Sequence, residues 1–257
     1  MKKFNGLLKK EWVLYRLWIF AAFMMGLAIL YLLPFALSKG NLELITDELH
    51  FGLMMATLVM GSLFILIQFL SSIRSDVHKK DIWLHSTSSI VQLLGVKMLF
   101  TGVSYLVYMV LFTSLGMYTV NDLYEGSFPQ ILFLQSIIVG VALSAEVVFF
   151  VTIIVFYALY LTLKRYIGRF AILITAILFF VINGAIFTFE NTSLYAVLFY
   201  YGQIDLNPLL SYLPSPITPS LTMAFGTIYM AEQIVSLLLL VILFIVGAKW
   251  TEKVVLK

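Results

Sequence analysis

Long apolar runs separated by short charged segments organise this chain. They fall roughly at 17–37, 51–70, 98–120, 131–163, 170–189 and 234–248. A membrane-crossing helix needs about 20 predominantly apolar residues, so the pattern predicts six spans. The fourth run is too long for an untilted helix. None of the runs shows the apolar/polar alternation of barrel strands, and in lipid only helices or closed barrels satisfy their own backbone. The expected fold is therefore all-α: a polytopic membrane protein with six transmembrane helices in one domain over residues 1–257.

Three segments between or beside these runs carry patterns of their own. Over 1–16, Phe4, Leu7, Leu8, Trp12 and Tyr15 fall near one helical face, while Lys2, Lys9 and Arg16 recur on another. A basic face opposite an aromatic and aliphatic one predicts a helix lying in the membrane interface. The 71–97 connection mixes charge with Ile82, Trp83, Leu84, Ile90, Val91, Leu93 and Leu94 and is too apolar for a flexible linker. The 190–233 segment holds Pro208, Pro214, Pro216 and Pro219 together with a dense set of aromatics. It is expected either to fold back into the membrane face, where broken backbone needs protein or a cavity over it, or to form an aromatic belt.

Charge orients the spans. Fifteen of the 16 Lys and Arg residues, all but Lys39, fall in the flanks and alternate connections that also hold both termini. Basic short loops stay cytoplasmic, which predicts both ends inside. The net charge of +3 is accounted for by this anchoring and implies no nucleic-acid partner. With 62% hydrophobic and 11% charged residues, no stretch is polar enough for a soluble catalytic domain. The absence of Cys excludes disulfide and thiolate chemistry.

Few residues offer chemistry inside the spans. Glu146 is the one acidic residue within a predicted span, and a mid-membrane carboxylate usually faces a bundle interior or a water path. It reads either as a substrate or proton-linked group or as a protonated donor to a neighbouring helix, beside the small residues Gly140, Ser144 and Ala145. Gln68 and Asn183 read as interhelical hydrogen-bonding groups. His50, His78 and His85 lie in loops or at span ends with no metal spacing, and no metal site is expected. An intramembrane hydrolase would need a nucleophile with its base, which the spans lack. No Gly precedes a Lys, so the chain has no G-x-x-x-x-G-K-[ST] phosphate loop. Asn191-Thr192-Ser193 matches a glycosylation sequon, to which no role is assigned.

Six spans with both ends inside, a basic entry helix ending KKEWVLYR, a structured loop after span 2 and a proline-broken segment before span 6 together resemble a type-2 ABC transporter permease. The resemblance covers the whole chain as an architecture. It implies that HKKDIWLHSTSSI, over 78–90 and leading into QLLGVKML, contains a coupling helix, with His78, Lys79, Lys80, Asp81, Ile82, Trp83, Leu84 and His85 docking on an ATPase. It also implies short re-entrant helices over roughly 209–229, with Tyr212, Pro214, Pro216, Pro219 and Phe225 at an outer gate. Spans 1, 2 and 5 would line the path, with Trp18, Phe20 and Phe64 as apolar lining.

The chain would then be no enzyme by itself and would hold no cofactor; ATP and Mg would sit on two copies of a separate ATPase subunit. A second permease subunit, identical or not, would complete the assembly in a bacterial cytoplasmic membrane. Its cargo would be a hydrophobic or amphipathic molecule, peptide or drug-like, moved outward. Two other readings compete: a proton-coupled secondary transporter working through Glu146, and a membrane immunity or sensor protein that transports nothing. Secondary carriers often show internal repeats, and none is evident in this chain.

Overall fold

The computed structural model describes residues 2–39, 47–78, 89–119, 124–216 and 226–255. Helix α1 (Lys2–Leu27) runs without a break through residue 16, where an interfacial helix was expected to give way to the first span. No Gly or Pro lies between Gly6 and Gly26 to interrupt it. A π turn, Ala28–Leu32, follows, in which the Leu33 N–H bonds to the carbonyl of Ala28, and α2 (Leu33–Lys39) continues from it. Pro34 has no N–H to give the preceding turn and its ring crowds that turn, so the helix widens just before it.

Helix α3 (Asp47–His78) is followed by α4 (Ile90–Thr119). The expected 71–97 connection is thus mostly helix: 71–78 finish α3 and 90–97 open α4. Ile90, Leu93 and Leu94 are buried there, which is why the segment is too apolar for a linker. Helix α5 (Phe128–Ile167) is 40 residues long. It ends at Gly168, whose φ of +57° is the left-handed conformation that terminates helices, with Lys164 and Arg165 in the last turn complementing the helix dipole. A 3-10 turn, Gly168–Phe170, leads into α6 (Ala171–Glu190).

After α6 come a short helix, α7 (Ser193–Phe199), a 3-10 turn (Asn207–Tyr212) and α8 (Met230–Val255). Two small antiparallel ladders complete the chain. Strand β1 (Tyr124–Glu125) pairs with β3 (Ser215–Pro216), and β2 (Gln203–Asp205) pairs with β4 (Thr227–Tyr229). The described part of the 209–229 stretch is therefore 3-10 turn and strand where short re-entrant helices were expected. Pro208, Pro214 and Pro216 account for this, since each lacks a donor and biases the residue before it towards extended backbone. Thr192 of the Asn191-Thr192-Ser193 triplet caps α7, its hydroxyl accepting from the Tyr195 N–H at 3.2 Å.

Among the described residues, five stretches are long and apolar enough to cross a membrane: Phe4–Leu37, Leu49–His78, Ile90–Thr119, Phe128–Glu190 and Met230–Val255. The Phe128–Glu190 stretch spans 63 residues and contains the break at Gly168. The chain is an all-α, multi-pass membrane protein.

The chain gathers into two compact units. The first comprises Met1–Ser75, Gly95–Val147 and Leu209–Met223. Its core is aromatic: the Tyr108 ring lies 5.4 Å from that of Phe23 and 4.4 Å from that of Phe112. Gly26 and Gly61 leave the space these rings occupy. The second comprises Asp76–Leu94, Val148–Pro208 and Ala224–Lys257. There α8 packs on the second half of α5 through Gly247, where an added Cβ would meet Ile154 and Val155 at 3.1 Å. Trp250 donates to Thr162 at 3.0 Å. Most of α6 is exposed and apolar, with Ala171 its buried residue.

Candidate functional site

The first unit buries a column of polar side chains between α3 and α4. On α4, Lys97, Thr101, Tyr105 and Tyr108 recur every three or four residues and share one helical face. On α3, the buried Thr57, Gln68 and Ser72 form a matching stripe, with the half-buried Ser62 to one side of it. The helices run antiparallel, so the stripes pair end for end: Ser72 meets Lys97, Ser62 meets Tyr105, and Thr57 offers its carbonyl to the Tyr108 hydroxyl at 3.0 Å. At about 1.5 Å of rise per residue, Gln68 stands about 6 Å along α3 from Ser72, and Ser62 about 9 Å further.

One end of the column is an ion pair. Lys97, 2% exposed, donates to Glu11 Oε1 at 2.6 Å, and Glu11 is itself 3% exposed. Ser72 donates to the other carboxylate oxygen at 2.7 Å and accepts from the same ammonium. Three helices, α1, α3 and α4, each supply one member. The carboxylate accepts at both oxygens, which is the condition under which a buried pair can hold. Composition and charge counting assign both residues to solvated basic flanks, and so miss this cluster. The available signals are faint: Glu11 is the lone acid in the basic entry helix, and Lys97 is a lone base opening an apolar run.

Further along lies Glu146, 1% exposed in the middle of α5. Ser62 donates to its Oε2 at 2.7 Å, and Tyr105, also buried, interacts with both groups. Oε1 of Glu146 is buried with no hydrogen-bond partner among the described residues, and so are both amide atoms of Gln68. A buried polar atom left without a partner calls for a proton, a water or an ion. The site can therefore hold or pass a proton, or meet a positively charged group.

Other expected residues lie elsewhere. Asn183 is exposed and donates to the Phe179 carbonyl one turn back at 2.7 Å, and it bridges no helices among the described residues. Gln68 is buried but makes no interhelical hydrogen bond among the described residues. Trp18 and Phe64 pack on each other, rings 5.7 Å apart, with Trp18 donating to the Phe64 carbonyl. Trp18 and Phe20 face outward from the first unit.

Of the coupling residues, His78 is exposed at the end of α3. Lys79, Lys80, Asp81, Ile82, Trp83, Leu84 and His85 lie outside the described residues. At the expected gate, Tyr212 packs edge-on against Phe133 at 6.2 Å. Pro214 is buried against Gly126, and Pro216 pairs with Tyr124 in the first ladder. Pro219 and Phe225 lie outside the described residues. Among the described residues, no cluster of three His, Cys, Asp or Glu is placed to hold a metal ion.

In the second unit, Tyr195 donates to Glu232 at 2.9 Å, and Tyr200 stacks flat on Tyr229 at 4.2 Å. Burial, helped by the hydrogen bond to the Glu232 carboxylate, pushes the Tyr195 phenol up to about 12. It therefore stays neutral and donating across the physiological range, tying α7 to the start of α8.

The geometry at Glu146 fixes what its substitution does. Glu146→Gln keeps an acceptor for Ser62 and similar volume, so the variant should unfold in detergent at the parent temperature. Glu146→Leu removes the acceptor and should cost about 0.6 kcal/mol, typical of a hydrogen bond between membrane helices. A Gln variant as unstable as the Leu variant would show that Ser62 needs the carboxylate itself.

No family model, curated protein or solved structure matches the chain.

Proposed function

We propose that the chain is the permease subunit of an ATP-driven ABC exporter that moves a hydrophobic or amphipathic molecule, peptide or drug-like, outward across a bacterial cytoplasmic membrane. The observation that carries this reading is the buried polar column, with its ion pair and mid-helix carboxylate, inside an otherwise apolar helical protein. A membrane anchor has no use for such groups, which are expensive in lipid and mark substrate or ion pathways. The sequence holds no phosphate-binding loop of its own, so a separate ATPase, in two copies, supplies the energy. A second permease subunit completes the assembly.

In this reading the chain crosses the membrane six times with both ends inside, α5 and α6 crossing separately on either side of Gly168. Residues 78–90 couple the two proteins: closure of the ATPase dimer moves this segment as a lever, and the two permeases rock about their interface. Trp83 is the anchor, as large aromatics commonly are in protein interfaces. Trp83→Ala should cost roughly 2 kcal/mol or more of ATPase association, read by co-purification and by substrate-stimulated hydrolysis. A variant with both intact would remove the coupling role assigned to this segment. A proton-coupled carrier working through Glu146 is the second reading, favoured by the unpartnered Oε1. It requires Glu146→Gln to lose transport while remaining folded.

A further inference from the structure

A cavity of about 250 Å³ opens in the second unit beside the last turns of α5 and α8. Val77, Leu161, Val254 and Val255 form its apolar wall, and Lys164 and Arg165 its charged edge. It is smaller than the roughly 300–1,000 Å³ of pockets that enclose drug-sized ligands, so it suits a compact group and not a transported solute.

The two cations are held but not neutralised. The Lys164 ammonium stands 5.7 Å from the centre of the Tyr160 ring. The Arg165 guanidinium donates one N–H to the Val254 carbonyl, which joins the ends of α5 and α8, and its other donors have no partner among the described residues. Neither pairs with a carboxylate among the described residues. The acid nearest in sequence to the α8 wall is Glu252, which does not line the cavity. Arg169, Lys249 and Lys253 are exposed on the same unit and also lie outside the lining.

Position narrows the ligand further. The apolar run of α5 stops at Leu163 and the cations begin at Lys164, so the cavity sits where hydrocarbon gives way to head groups. A phosphate fits an ammonium and an Arg fork, while the wall of one Leu and three Val suits the first methylenes of acyl chains. Basic pockets between membrane helices take anionic head groups in this way. We infer that the cavity binds the phosphate head group of an anionic phospholipid, with Lys164 and Arg165 on the phosphate. The inference rests on the membrane fold alone and stands whatever the protein transports.

The test uses full-length protein, delipidated in neutral detergent and titrated with phosphatidylglycerol or phosphatidylcholine under native mass spectrometry. Phosphatidylglycerol should bind at least about tenfold more tightly than phosphatidylcholine. Lys164→Gln should weaken it about fivefold, and replacing Lys164 and Arg165 together about 25-fold. Lys164 carries the decisive arm, because Arg165 also holds the Val254 carbonyl and its loss can loosen the helix ends. Lys249→Gln, outside the lining, should change nothing. Equal binding of the two lipids, or a Lys249→Gln loss equal to that of Lys164→Gln, overturns the site in favour of diffuse attraction. Displacement of the lipid by millimolar inorganic phosphate would assign the cavity to the free anion and overturn the lipid.

Discussion

Replacing Lys97 by Met should lower the stability of the folded protein by about 3–5 kcal/mol, the range for removing one partner of a buried ion pair. The ammonium touches both Glu11 and Ser72. Without it the Glu11 carboxylate stays buried with, among the described residues, only the Ser72 hydroxyl to satisfy it. Most of the cost comes from that stranded charge and not from the lost attraction. The double variant Glu11→Leu/Lys97→Met should therefore recover much of the loss, since an apolar pair of similar volume often replaces a buried ion pair without penalty. Unfolding by heat or by SDS titration in detergent micelles, run as a double-mutant cycle, measures both effects. A Lys97→Met variant within about 0.5 kcal/mol of the parent, the scatter of an ordinary surface change, would mean that the three helices are not locked at this point.

A second large effect is expected at Gly61. A Cβ there would lie 2.1 Å from Cε1 and 2.6 Å from Cζ of Tyr108. The ring cannot turn away, because Phe23 and Phe112 flank it and its hydroxyl donates to the Thr57 carbonyl. Gly61→Val should cost about 3 kcal/mol, the upper part of the range for overpacking a well-filled core. Gly116 makes an instructive contrast: its Cβ would meet Met54, whose unbranched side chain adapts, so Gly116→Ala should cost clearly less. At Gly140 nothing lies within 4 Å of an added Cβ, and Ala should be neutral or slightly stabilising through helix propensity. Equal losses at Gly61 and Gly140 would rule out the packing explanation.

The helices were legible because their signal is local: twenty apolar residues in a row have few other fates. Glu146 was legible for the same reason, as the lone acid in such a run, and it is buried in the bundle as a mid-span carboxylate should be. Its partner was not. Ser62 is separated from Glu146 by 84 positions, and a serine in an apolar run is too common to single out. The Glu11–Lys97 pair failed for a different reason. Counting basic residues orients spans but treats every charge as solvated, and here two of those charges face each other across 86 positions. Asn183 shows the reverse error: an amide in a span was expected to bridge helices, yet its own backbone one turn back satisfies it. The proline-rich stretch was recognised as broken backbone. Its pairing into β-ladders depends on partners at Tyr124 and Gln203 that no local pattern marks.

The three-helix ion pair also bears on how the chain enters the membrane. Glu11, Ser72 and Lys97 leave the ribosome in that order, so the carboxylate and the hydroxyl are already present when the lysine arrives. A charged side chain without a partner is expensive inside the membrane, and Lys97 is buried near the start of α4. With α1 and α3 synthesised first, the receiving groups are in place before that helix must settle. The order of synthesis is thus also the order in which the members of this cluster become available, the acceptor before the donor.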